Sequence, residues 1–153
     1  MMRFSLFVLL ALCLVGCDST VENDASIEGD WTGSANGRIT YVDEDKNDVN
    51  DDIELEITFS ETNAGEQGGK TIYELSGTAT LRIFNGSGNL KETLELNVSG
   101  SRSANTVESA FSKPGVDTLL YNGSVKNGGD NIRGTLNWLD RYDNTSDVKL
   151  SRQ

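Results

Sequence analysis

From Ile27 onward, apolar and polar residues alternate with period two in one segment after another, the mark of strands that bury one face and expose the other. In the first segment Trp31, Gly33, Ala35, Gly37, Ile39 and Tyr41 oppose Thr32, Ser34, Asn36, Arg38 and Thr40. In the second, Ile53, Leu55, Ile57 and Phe59 oppose Glu54, Glu56, Thr58 and Ser60. A third sets Tyr73, Leu75, Gly77, Ala79, Leu81 and Ile83 against Glu74, Ser76, Thr78, Thr80 and Arg82, and a fourth sets Leu90, Leu94, Leu96 and Val98 against Lys91, Thr93, Glu95 and Asn97. The fifth, from Asn105 to Ser112, is weaker, with Val107 and Phe111 in step and Ala110 out of it. Leu119, Tyr121, Gly123 and Val125 follow, then Ile132, Gly134, Leu136 and Trp138, and lastly Val148, Leu150 and the stem of Arg152.

The breaks between these runs are short and rich in turn formers: Asn85-Gly86-Ser87-Gly88, Lys113-Pro114-Gly115, Asn127-Gly128-Gly129-Asp130 and Asp143-Asn144-Thr145. Consecutive strands joined by tight turns pair antiparallel, because parallel neighbours need a crossover that this chain lacks. The expectation is an all-β fold, a single antiparallel up-and-down β-barrel of about eight strands that folds its edges into a closed ladder. A β-sandwich is the alternative. The charges on the outer face, Glu54, Glu56, Arg82, Lys91 and Glu95, argue against a membrane-spanning barrel, whose outer face is apolar.

The first 26 residues depart from this pattern. Met1, Met2 and Arg3 make a short cationic start, Phe4 to Val15 are almost wholly apolar, and Gly16 precedes Cys17. The apolar run is too short for a spanning helix and fits an export signal. Leu14-Val15-Gly16-Cys17 resembles the lipobox of bacterial lipoproteins at every position. That resemblance implies cleavage after Gly16, a diacylglycerol on the Cys17 thiol and further acylation of the new amino terminus. The domains expected are a lipoprotein signal peptide over 1–16, a flexible tether with lipidated Cys17 over 17–26, and a barrel over 27–153. Its location would be the bacterial cell envelope, on the periplasm-facing side of the inner or outer membrane.

Composition narrows the chemistry. The formal net charge is −11, one unit more negative once Arg3 leaves, so the surface repels nucleic acid and favours solubility. Cys13 leaves with the signal and Cys17 would carry lipid, so packing alone must hold the mature domain together. There is no histidine, which removes the commonest general base and metal ligand. Nothing in the pattern sets two carboxylates in an apolar pocket, and the expectation is a binding protein, not an enzyme.

Gly29-Asp30-Trp31, at the start of the barrel sequence, resembles the Gly-X-Trp opening of lipocalins and other calycins. In that group a basic side chain from the last strand packs across the tryptophan and closes the barrel base. The resemblance implies that Arg152 lies over Trp31, as a structural closure.

Two further clusters carry expectations. Asp43, Asp45, Asn47, Asp51 and Glu54 fall at positions 1, 3, 5, 9 and 12 of an EF-hand calcium loop. Asp48 stands where that loop needs glycine and no helices flank it, so a plain solvated hairpin loop is the competing expectation. The inward Gly33, Ala35, Gly37, Gly77, Ala79, Gly123 and Gly134 either leave a cavity or let strands bend around a filled core. The function expected is a lipocalin-like barrel that binds a small apolar ligand at the membrane surface. The alternative is a filled barrel that engages an envelope protein as an interaction or inhibitor module.

Overall fold

The computed structural model describes residues 25–42, 48–138 and 146–153. Eight strands close into one barrel in the order β1 to β8, each hydrogen-bonded to its sequence neighbours and β8 to β1. They are β1 (Gly29–Val42), β2 (Asp48–Gln67), β3 (Lys70–Phe84), β4 (Leu90–Ser103), β5 (Thr106–Lys113), β6 (Val116–Lys126), β7 (Asn131–Trp138) and β8 (Ser146–Arg152). Every pair is antiparallel, and Trp31↔Arg152 to Ala35↔Val148 closes the seam. The barrel replaces the sandwich alternative.

Alternation explains both the strands and their register. From Asp51 to Ser60 every second residue is buried, so a slip of one position would turn the whole apolar set out to water. Inward residues of all eight strands meet in one core that includes Trp31, Leu55, Phe59, Leu81, Leu96, Phe111, Leu119, Tyr121, Leu136 and Leu150. The outer face is polar and knitted by charge. Arg82 grips both carboxylate oxygens of Glu56, at 2.9 and 3.1 Å, and Thr80 donates to Glu95 at 2.9 Å. The bonded Arg82 guanidinium holds the Glu56 carboxyl below its usual range.

The turns are where glycine and asparagine are needed. Gly68 and Gly69, at φ 61° and 78°, make the two-residue reversal between β2 and β3. Between β3 and β4, Asn85 accepts the backbone N–H groups of Ser87 and Asn89 at 3.0 and 2.9 Å. The predicted turns at 113–115 and 127–130 separate β5 from β6 and β6 from β7, the latter with one turn of 3-10 helix at Asn127–Gly129.

Three expectations need correction. The alternation predicts a second strand ending near Ser60 and a third starting near Tyr73. Instead β2 runs to Gln67 and β3 starts at Lys70, so a polar hairpin arm extends beyond Gly29, whose partner is Phe59. Leu90, expected on the inner face, is 55% exposed. A register shift between Ile83↔Glu92 and Phe84↔Leu90 turns it outward. Lastly, Ser26, expected within the flexible tether, already bonds to the barrel through Glu61.

Candidate functional site: the strapped end of the barrel

One end of the barrel gathers the start of β1, the β2–β3 arm, the turns after β4 and β6, and the end of β8. The segment 25–28 crosses this end as a strap. Ile27 is fully buried and its carbonyl accepts the indole N–H of Trp31 at 2.8 Å. From the other side Arg152 reaches over. Its guanidinium lies 4.8 Å from the Trp31 ring and donates to the carbonyls of Glu28 and Ser26. Neighbouring strands bring this about, since Trp31 and Arg152 are cross-strand partners. Trp31 and Arg152, paired in the sequence reading, are thus in contact, and Arg152 ties down the strap as well as covering the ring.

Beneath the strap is an ion pair that pattern reading passed over. Glu61 and Arg102 continue the inward positions of β2 and β4, after Phe59 and after Val98 and Gly100. Arg102 is 0% exposed. Its Nε donates to Glu61 Oε1, its Nη1 donates to the Ala104 carbonyl at 2.8 Å, and its guanidinium stacks 4.2 Å from the Tyr73 ring. The other Glu61 oxygen accepts the Ser26 hydroxyl at 2.5 Å and the Ile27 N–H at 3.1 Å. The carboxylate therefore joins the interior charge to the strap. Arg102 Nη2 has no hydrogen-bond partner among the described residues, and the same holds for Ser109 Oγ and Tyr121 Oη. Burial raises the Tyr121 hydroxyl above the usual tyrosine range.

Three of the small inward residues have large neighbours standing over them. A Cβ on Gly123 would lie 2.8 Å from an Ile132 methyl and 2.9 Å from the Tyr121 ring. On Gly134 it would meet the Asn122 carbonyl at 2.3 Å and the Tyr121 ring at 2.8 Å, and on Gly33 it would meet Leu150 at 2.7 Å. Tyr121 in turn stacks on Phe111, with centroids 6.3 Å apart. At these levels the interior is filled by side chains. A cleft of about 490 Å3 lies on the outer wall along β7 and β8.

The calcium expectation divides. Asp43, Asp45 and Asn47 lie outside the described residues, as does Cys17. Asp51 points inward, is 1% exposed, and accepts Lys91 Nζ at 2.7 Å. Glu54 stands on the opposite face, its side chain 54% exposed and 4.0 Å from Arg82. Successive odd and even positions of a strand face opposite sides of a sheet. Asp51 and Glu54 accordingly do not converge, and no group of three metal-ligating side chains occurs among the described residues.

Compared with protein-family models, curated proteins and solved structures, the chain matches none.

Proposed function

We propose that this chain is a lipid-anchored protein of the bacterial cell envelope whose barrel is a packed scaffold, and that it engages another envelope protein through its outer surface. It acts by binding. The observation that supports this reading over an apolar carrier is the seating of Tyr121, Ile132 and Leu150 where Cβ atoms of Gly123, Gly134 and Gly33 would otherwise stand. A carrier needs a connected void of several hundred Å3, most of it apolar. Here the inward glycines sit under bulky neighbours, and the strapped end is crossed by Ile27 and covered by Arg152. The anchor rests on Leu14-Val15-Gly16-Cys17 and the apolar segment before it.

Native mass spectrometry of the protein extracted from cell membranes tests the choice. The expected spectrum shows the acylated chain starting at Cys17 with no stoichiometric apolar ligand. A single lipid-like species bound one to one, over and above the covalent acyl groups, would restore the carrier.

A further inference from the structure

On a chain with 24 acidic and 13 basic residues, cations are expected to find carboxylates. Arg82, Lys91 and Arg102 do so, with Glu56, Asp51 and Glu61. Of the cations that form no ion pair among the described residues, three stand together on one wall. Arg133 on β7 is the direct cross-strand partner of Lys149 on β8. On its other side Arg133 faces Ser124, two positions from Lys126 on the same face of β6. All three are exposed. Like charges directly opposite destabilise an antiparallel pair, so the arrangement is a local cost to the fold. Two adjoining outer clefts share Arg133 and Lys149, one about 490 Å3 and the other about 280 Å3, the second also lined by Lys126 and Asn131. Asp130 and Asp147 border the patch without pairing with it.

The position of the patch relates it to the tether. Ala25, the first described residue of the strap, lies against Gly129 in the turn that follows Lys126, close enough that a Cβ there would be 2.8 Å away. Ala25 is eight positions from Cys17, a span of at most about 29 Å when fully extended. If Cys17 is acylated, Ala25 is held within that distance of the bilayer surface, and the turn after Lys126 lies against it.

We infer that Lys126, Arg133 and Lys149 form a docking surface for anionic phospholipid headgroups, which seats the β6–β7–β8 wall against the membrane and turns the remaining acidic surface toward a partner. The inference rests on the proposed lipid anchorage. Basic side chains near an anionic surface add attraction residue by residue, and salt screens it. The net negative charge of the chain opposes this attraction, so the patch works close to the membrane, where the anchor holds it.

The test uses the chain from residue 17 with Cys17→Ser, which carries no lipid and keeps every described contact, since strap and barrel together span residues 25–152. Vesicles of phosphatidylcholine alone are compared with vesicles containing 30 mol% phosphatidylglycerol (about one anionic lipid in three), at low and high sodium chloride. The expected result is at least about tenfold stronger partition onto the anionic vesicles at low salt, lost at high salt. The variant Lys126→Gln/Arg133→Gln/Lys149→Gln should lose the preference while melting no lower than its parent. Equal binding to both vesicles, or full preference retained by the variant, overturns the docking surface. Release by millimolar inorganic phosphate at matched ionic strength also overturns it, in favour of a soluble phosphate site. Labelled fatty acid supplied to cells that make the full chain reads the anchor separately. Absence of label at Cys17 overturns anchorage whatever the vesicles show, and label without vesicle preference overturns the docking surface alone.

Discussion

At the scale of single residues, the Glu61–Arg102 pair links interior to strap. Both side chains are nearly excluded from water, at 5% and 0% exposure. Such a pair is costly to assemble and costlier to break, because removing one partner strands the other charge in the core. Arg102→Met is expected to lower stability by about 3–5 kcal/mol, and Glu61→Leu by a similar amount. The double variant Glu61→Leu/Arg102→Met should be less destabilised than either single one, since no stranded charge remains. Urea unfolding of the four proteins checks this. A double variant that loses the sum of the two single effects would mean that the residues act independently.

At the scale of elements, the strands were legible wherever one face is apolar and the other is not. β2 from Ile53 to Phe59 and β3 from Leu75 to Ile83 follow the pattern residue by residue. Legibility failed for reasons that can be stated. Thr62 to Lys70 are polar on both faces, so the arm offers no period to read, and it is specified by Gly68-Gly69 and the ladder to β3. Glu61, Arg102 and Ser109 sit at inward positions but are polar, which reads as a strand ending or weakening; extending the alternation through them would have found the buried pair. Leu90 is displaced by a register shift, which no hydrophobic pattern reveals. Trp31 and Arg152 were legible from the two ends of the domain, whereas Ala25 and Ser26, the first half of the strap that they hold, fall within the expected tether.

The acidic loop belongs to this scale too. With Asp51 committed to Lys91 inside the wall and Glu54 outside it, two of the five proposed ligands face opposite sides of β2. Melting temperatures in calcium chloride and in sodium chloride at matched ionic strength are therefore expected to coincide, as both salts screen so acidic a chain alike. A rise of several degrees in calcium alone, abolished by Asp45→Ala, would establish a metal site.

At the scale of the whole molecule, a closed ladder of eight strands leaves no sheet edge within the barrel wall, and its width leaves an interior that side chains can just fill. On the proposed reading, function depends on what lies outside: a strap that leads toward Cys17 at one end, paired charges over β2–β3–β4, and unpaired cations over β6–β7–β8. The lipid would supply address, the cations orientation, and the remaining acidic wall the surface offered to a partner. Each of these roles presumes a rigid, occupied interior. The most direct measurement is the stability of Gly123→Ala, in which one methyl group is added between Ile132 and Tyr121. A filled barrel has no room for it, and denaturant unfolding should show a loss of about 1–3 kcal/mol from overpacking. Unchanged or increased stability would mean that the methyl finds space, and would contradict the packed scaffold in favour of a hollow one.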